Sequence, residues 1–330
     1  MRWRVWLTVG LLLPLAGWAV LASLYLGHAP QWLRWLLALA WAGLALAVVL
    51  RRRRPDGARW AGAALVAWLL FLGGWSLQQP QQARAWSDDV AQLLQAQVRG
   101  NQVVLHNVRN FNWRSDTDYD ARWETRTYDL DQLRTADLAM SYWMGPAIAH
   151  TLVSFGFADG RHLVFSLEIR KERGESFSAL GGFFRQFEEV LIAADERDIL
   201  RVRTNVRGET MQLYRLNLSP AAQRQLFLAY LDQAADLRAA PAFYNTVTSN
   251  CTTVVFDLAR RIDPGLPLDW RLLLSGYFDR YAYDHGGLMP GLDFTTLRTR
   301  GDITAHARAV TDVDTFSTAI RQDVPGESLP

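Results

Sequence analysis

Cys251 is the only cysteine among the 330 residues of the chain, and its position suggests thiol chemistry. It lies in the stretch FYNTVTSNCTTVVFDLAR, directly after Asn250, a favourable helix N-cap. A helix is therefore expected to begin at Cys251. Unpaired N–H groups in a first helical turn stabilise an anion, so they would lower the pKa of the thiol and bind an oxyanion. The position predicts a nucleophile, and the alternative is a small buried side chain.

A thiol nucleophile needs a base, usually a histidine held by a third group. The stretch AHTLVSFGFADGRHLVFSLEIRKE, residues 149–172, predicts a β-hairpin around the loop Ala158-Asp159-Gly160. A three-residue loop with Gly160 in the left-handed position places His150 directly across from Glu168, on one face. A two-residue loop would turn Glu168 to the opposite face. We therefore predict His150 as the base and Glu168 as the group that orients it.

Other histidines and a structural role for Glu168 are the alternatives to this pair. The remaining histidines of the polar part of the chain are His106, His162, His285 and His306. His106 is the main rival, because it lies on a predicted strand, whereas His162 is expected at the hairpin tip. Glu168 is also suited to a simple ion pair with Arg170 or another arginine. The sequence has no HExxH or CxxC motif, so we expect no metal and no other cofactor.

Around this pair, the sequence pattern predicts a mixed α+β domain. The predicted elements are a helix over Trp86–Gln97, a strand over Asn101–Trp113, a strand near the end of Tyr128–Trp143, a second hairpin around Arg207-Gly208, a helix from Ser219-Pro220 to Ala239, and the Cys251 helix, which ends at Asp263. The acidic run ADERD, residues 194–198, is expected to be a solvated turn. Residues 311–330 have weak pattern and are expected to form a flexible tail.

Three apolar runs precede this domain and predict a membrane anchor over residues 1–77. They span Val5–Leu26, Trp32–Leu50 and Trp60–Leu77, each roughly 18–22 residues, long enough to cross a bilayer. Arginines lie before the first run and between the second and third, which places the N-terminus in the cytoplasm by the positive-inside rule. A linker over residues 78–85 then leads into a domain over residues 86–310 on the outer side. In a bacterium, this is the periplasmic face of the inner membrane.

The net charge of +2 gives no global field that would attract nucleic acid. Several sequence blocks instead resemble the Lnb-type periplasmic domain, a family named for a lipoprotein N-acyltransferase of Bacteroides-type bacteria. The blocks lie between residues 86 and 290, and the segments HTLVSFGF and NCTT are the most specific. In that enzyme the periplasmic domain comes before the membrane spans, whereas here three predicted spans come first.

The resemblance implies a permuted papain-like fold, in which a helix that begins with the cysteine packs on a small antiparallel sheet that carries the histidine. It implies Cys251 as nucleophile and His150 as base, with Asn250, Thr252, Tyr244 and Asn245 in the substrate and oxyanion neighbourhood. The implied activity is transfer of a fatty acyl chain from a membrane phospholipid, through a Cys251 thioester, to an amine such as a lipoprotein N-terminus. A cell-wall peptidase or amidase and a non-enzymatic envelope assembly protein are the alternatives.

Overall fold

The computed structural model describes residues 2–27 and 29–326, and the chain forms two compact units. The first unit comprises Met1–Ala83, Ser176–Glu188 and Phe243–Thr246. It contains three long helices, α1 (Arg2–Leu24), α2 (Gln31–Arg51) and α3 (Gly57–Ser76), and the short helix α4 (Ala179–Phe183). Leu12, Val48 and Ala64 pack together between the long helices.

Two helices of this unit, α2 and α3, are long and apolar enough to cross a membrane. Their side chains are exposed over most of their length, as expected for helices that face lipid. Within the described residues, the first predicted span corresponds to a shorter apolar stretch, Gly10–Leu24 of α1. The structure therefore supports a membrane-associated chain with two candidate spans, and the third span stays a prediction.

The second unit is built on an eight-stranded sheet with helices on both faces. Its strands are β1 (Gln95–Arg99), β2 (Gln102–Arg109), β5 (Trp123–Asp129), β6 (Leu133–Tyr142), β7 (Ala149–Phe157), β8 (His162–Arg170), β9 (Glu188–Asp195) and β10 (Thr210–Arg215), while β3 (Asn112–Trp113) and β4 (Tyr119–Asp120) form a separate ribbon. The order in the large sheet is β1-β2-β9-β8-β7-β6-β10, with β5 also paired to β2. The sheet is larger than the small antiparallel sheet that the family resemblance implies, and β9 runs parallel to β2.

The helices of this unit divide between the two faces of the sheet. They are α5 (Glu196–Arg201), α6 (Pro220–Ala239), α7 (Cys251–Ile262), α8 (Phe278–Asp284), α9 (Phe294–Arg300), α10 (Thr304–Ala309) and α11 (Phe316–Ala319). Side chains of α6, α7, α8 and α9 form one core with the sheet, and side chains of α5, α10 and α11 form the other. Because both faces are covered, β7 is buried at every position, as its apolar sequence indicates.

The predictions for Asn101–Trp113, for the end of Tyr128–Trp143 and for the helix that begins at Pro220 are confirmed by β2, β6 and α6. The helix predicted over Trp86–Gln97 is wrong. Trp86 instead bridges to Glu172, and residues 95–99 form β1. Pairing with an existing sheet has overridden a weak helical propensity here.

The second predicted hairpin is wrong in its first half, because residues 196–206 are helical. The Asp195 carboxylate caps this helix by accepting from the N–H of Arg197. The acidic run is not a solvated turn, since Glu196 and Asp198 are fully buried. Asp198 accepts hydrogen bonds from Arg109 and from the indole N–H of Trp113. Within the described part of the chain, the hydrogen-bond partners of Glu196 and Asp198 are all distant in sequence.

The flexible tail predicted after residue 310 is also wrong over the described residues. Phe316, Ile320 and Val324 are buried in the core on one face of the sheet. Arg321 lies between the buried carboxylates of Asp137 and Glu196. Residues 327–330 lie outside the described part of the chain.

Candidate active site

Cys251 is the first residue of α7, as the sequence predicts. The side chain of Asn250 accepts hydrogen bonds from the N–H groups of Thr252 and Thr253, and the Thr253 hydroxyl accepts from the N–H of Asn250. This reciprocal cap fixes the start of the helix. The cysteine side chain is only 7% exposed, so it lies inside the domain rather than on its surface.

The β7–β8 hairpin has the predicted register. The N–H of Phe157 donates to the Arg161 carbonyl, and Gly160 has φ +80°, so the loop is the three-residue type. The pair Leu152 and Ser166 extends this register towards His150 and Glu168. Nε2 of His150 lies 3.1 Å from Oε1 of Glu168 and 2.7 Å from Oγ of Ser166. Ser166 in turn donates to Glu168 at 2.8 Å.

The histidine and the cysteine meet where β7 packs against the start of α7. The two side chains are close enough that each shifts the pKa of the other. Since Nε2 of His150 is held by Ser166 and Glu168, Nδ1 is the nitrogen left for the thiol. The hydroxyls of Thr151 and Thr252 are 2.9 Å apart and join the same two elements. The structure thus brings Cys251, His150 and Glu168 into one connected group.

The charges in this group favour an ion pair. Burial acts to raise the pKa of Cys251, but the positive charge and hydrogen bond of His150 and the N–H of Thr151 lower it below its ordinary value. Burial and Arg203 act to lower the pKa of His150, but the charges of Glu168 and Cys251 raise it to about 9. Each of the two charges therefore stabilises the other, which favours a thiolate beside an imidazolium.

Arg203 is a member of the site that the sequence prediction did not identify. Burial acts to raise the pKa of Glu168, but the charges of His150 and Arg203 hold it well below its usual range. Nη2 of Arg203 lies 2.9 Å from Oε1 of Glu168, while Nη1 lies 3.4 Å from Oε2 of Glu209. Glu168 therefore contacts both the histidine and an arginine. The predicted contact with His150 and the alternative ion pair with an arginine are both present. Arg203 was not found because its segment was predicted as a strand.

The helix-end N–H groups are not all available to an oxyanion. Asn250 already occupies those of Thr252 and Thr253, which leaves the N–H of Cys251 itself.

The sequence prediction also missed Tyr230, which lies on α6 and is 1% exposed. Its hydroxyl has no hydrogen-bond partner among the described residues. Burial and the negative charge of Cys251 raise the pKa of Tyr230, so the phenol remains a donor in the core that Cys251 shares.

The other predicted residues have partners of their own. His106 bonds to Gln97 and Thr125 near the surface, and His162 lies at the hairpin tip next to Gly160. His285 packs against Tyr281, and His306 lies 2.9 Å from Asp323. Tyr244 and Asn245 belong to the first unit, where the N–H of Tyr244 donates to the Phe187 carbonyl. In the described ranges, no group of three or more His, Cys, Asp or Glu side chains is arranged to hold a metal.

Comparison with known proteins gives one match. Residues 119–276 match the model of the Lnb N-terminal periplasmic domain. Neither the curated proteins nor the solved structures contain a significant match to the chain. The matched range contains Cys251, His150, Glu168 and Arg203, so the whole connected group lies inside it. The resemblance predicted from the sequence is confirmed over this range, which is shorter than the range of the sequence blocks that suggested it.

Proposed function

We propose that this chain is a membrane-bound acyltransferase with a Cys251 nucleophile, because residues 119–276 match the model of the Lnb N-terminal periplasmic domain. The observation that carries the proposal is the buried pair of Cys251 and His150, with Glu168 3.1 Å behind the histidine. A merely structural cysteine does not need an oriented imidazole or a lowered pKa. The apolar helices supply the reason for a lipid substrate, since they hold the domain at a bilayer.

In the first half-reaction, the Cys251 thiolate attacks the carbonyl carbon of a phospholipid ester. The carbonyl oxygen becomes an oxyanion, to which the N–H of Cys251 and the hydroxyl of Tyr230 donate. The C–O bond to the glycerol then breaks, and Nδ1 of His150 gives its proton to the leaving oxygen. The products are a lysophospholipid and a thioester on Cys251, and no electrons are gained or lost.

In the second half-reaction, an amine attacks the thioester, and His150 accepts the proton that the amine loses. The C–S bond breaks, which restores the thiolate and releases an amide. We propose the N-terminus of a lipoprotein as this amine, because its acyl chains also hold it in the membrane. Glu168 and Arg203 act as positioning residues, since they reach the reaction only through His150. The histidine-before-cysteine order is that of a permuted papain-like enzyme, and we include this relationship in the proposal.

The test is mass spectrometry of purified protein incubated with phospholipid that carries a labelled acyl chain. We expect an adduct with the mass of one acyl group on wild-type protein and none on Cys251→Ser. Release of the adduct by a lipopeptide amine would identify a transferase. A thiol that forms no acyl adduct but cleaves wall peptides would instead make the chain a peptidase or amidase. Full function in Cys251→Ser would make it a non-enzymatic assembly protein.

A further inference from the structure

Residues 176–188 form an insert in the first unit that turns apolar side chains outward. Helix α4 within it is capped by the Ser178 hydroxyl, which accepts from the N–H of Gly181. On the outer side, Leu180 is 52% exposed and Phe183 is 44% exposed. Between Ser176 and Phe187 the only charged residue is Arg185. Two large apolar side chains in a nearly uncharged segment are costly to leave in water.

The inner side of the insert is closely packed. A β-carbon at Gly182 would come within 2.6 Å of the Thr246 hydroxyl. That hydroxyl donates to the Ala179 carbonyl at 2.6 Å, and the N–H of Tyr244 donates to the Phe187 carbonyl at 2.9 Å. The glycine therefore permits a close approach to the segment Phe243–Thr246. Because the inner side of α4 is filled, Leu180 and Phe183 point outward.

The insert is fastened to the long helices close to their ends. Phe184 is 3% exposed, and its ring stacks on Tyr25 with centroids 6.0 Å apart and lies 5.9 Å from Trp18 of α1. Arg185 donates to the carbonyls of Trp75 and Ser76 in the last turn of α3. Its guanidinium lies 4.3 Å from the Trp75 ring. Cations and tryptophans at a helix C-terminus are typical of a membrane–water interface.

These contacts also show how far from the end of α1 the insert lies. Trp18 lies six residues before the end of α1 at Leu24, a distance of about 9 Å along a helix axis. An amphipathic segment at an interface enters the bilayer by a similar depth, about 5–10 Å. The exposed apolar surface of α3, which includes Leu69 and Leu70, belongs to the same unit. Lipid that covers these helices would therefore also meet Leu180 and Phe183.

We propose that residues 176–184 enter the outer leaflet and contact phospholipid acyl chains through Leu180 and Phe183. This inference rests on the membrane insertion in the proposed function, but not on the thiol chemistry. It names the partner of the insert as the phospholipid of the bilayer, which the insert contacts through the acyl chains.

The test uses full-length protein in which Cys251→Ser removes the only native thiol. Leu180→Cys and Phe183→Cys are each labelled with an environment-sensitive fluorophore, and the protein is placed in phosphatidylcholine and phosphatidylglycerol vesicles. Leu70→Cys is the lipid-facing control, and Thr117→Cys, on an exposed turn of the second unit, is the water-facing control. We expect lipids with a spin label on the acyl chain to quench positions 180 and 183 as strongly as position 70, and to leave position 117 unquenched.

Quenching at position 70 without quenching at 180 and 183 would overturn the inference. A red-shifted emission in that case would show that water covers the insert, and a blue-shifted one that a protein covers it. Absence of quenching at position 70 as well would show that the membrane insertion itself is wrong. Because Cys251→Ser has no nucleophile, none of these results depends on whether the chain is an acyltransferase.

Discussion

The side-chain hydroxyls of Thr151 and Thr252 lie 2.9 Å apart, in the buried contact between β7 and the first turn of α7. Each threonine directly follows a member of the proposed catalytic pair, since Thr151 comes after His150 and Thr252 comes after Cys251. This hydrogen bond therefore joins the two elements that carry the proposed base and nucleophile. Its removal tests whether the geometry of the pair matters for reaction.

Replacement of either threonine by valine should lower the rate of Cys251 acylation. Apolar carbons pack at about 3.5–4.0 Å, so the methyl group would push the two elements apart by roughly 1 Å. A misplacement of this size can cost on the order of 10²-fold in rate. The measurement is the rate of adduct formation in Thr151→Val, in Thr252→Val and in the double variant.

The stability of the same three variants gives an independent check. Each single variant leaves one buried hydroxyl without its partner, which costs about 1–3 kcal/mol, whereas the double variant leaves none. The double variant should thus be more stable than either single one while it remains slow. A double variant that loses the sum of the two single effects would show that the hydroxyls do not interact.

The pH dependence of acylation should report the His150 pKa. The proposed mechanism requires an ionised Cys251 and a protonated His150. Activity should therefore appear as the pH rises through the lowered pKa of Cys251 and fall as the pH passes about 9. The contribution of His150 to the stability of the fold should also fall as the pH rises through about 9. A group whose pKa is raised in the folded state stabilises the fold only while it is protonated. The measurement is kcat/KM against pH.

Glu168→Gln tests whether Glu168 raises the pKa of His150 that the pH profile reports. The amide keeps the size of the side chain but removes the negative charge that raises the pKa of His150. The upper limb of the profile should then move to lower pH. The alkylation rate of Cys251 by a small reagent serves as a control, since it requires only the thiolate and should not fall above pH 9. An unchanged upper limb in Glu168→Gln would remove Glu168 from the site.

Tyr230→Phe should slow acylation without a change in the reactivity of the free thiol. The phenylalanine ring retains the packing against Phe165, whose ring lies 4.8 Å from that of Tyr230, and only the oxyanion donor is lost. Removal of one such donor costs on the order of 10²-fold in kcat. Alkylation of Cys251 forms no oxyanion, so its rate should stay at the wild-type value. Equal losses in both assays would mean that Tyr230 acts through packing alone.

The orientation of the chain is tested by a reporter fusion. The predicted topology, three crossings with a cytoplasmic N-terminus, would place every residue after Leu77 in the periplasm. Alkaline phosphatase joined after Leu77 should therefore be active, whereas the same enzyme joined within Arg51–Arg54 should be inactive. The reverse result would place Cys251 in the cytoplasm and contradict the proposed substrate.

The parts of the site that follow from local rules could be predicted from the sequence. Asn250 as a cap, Cys251 at a helix start and the register of the β7–β8 hairpin each depend on a few neighbouring residues. These short-range rules were sufficient to place His150 opposite Glu168. The family resemblance then joined the two segments, which lie about a hundred positions apart in the sequence.

The parts that depend on distant partners could not be predicted. Arg203 and Tyr230 carry no local signal, because an arginine in a polar stretch and a tyrosine on a helix are common. The sequence predicts the acidic run as a solvated turn and the C-terminal segment as a flexible tail, because their partners, Arg109 and Asp137, lie far away in the sequence. Charged residues are almost never fully buried unless paired, and the pairing is visible only in the fold.

The C-terminal segment leads to the last prediction. Arg321 is 1% exposed and donates to both Asp137 and Glu196, which are themselves fully buried. Arg321→Met would leave two carboxylates without this cation, although Asp137 would keep Arg215 and Glu196 would keep Ser154. Loss of one partner of a buried pair costs about 3–5 kcal/mol. For a domain of this size, that lowers the midpoint of thermal unfolding by roughly 6–20 °C.

The matched control is Gln322→Met, because Gln322 is the exposed neighbour of Arg321 in the same segment. Both variants add the same side chain, so a difference between them isolates the buried charge. Thermal unfolding in detergent, followed by intrinsic fluorescence at a fixed scan rate, should show a large fall for Arg321→Met and no fall for Gln322→Met. Equal midpoints for the two variants would mean that the segment after residue 310 contributes little to the fold, as a flexible tail would.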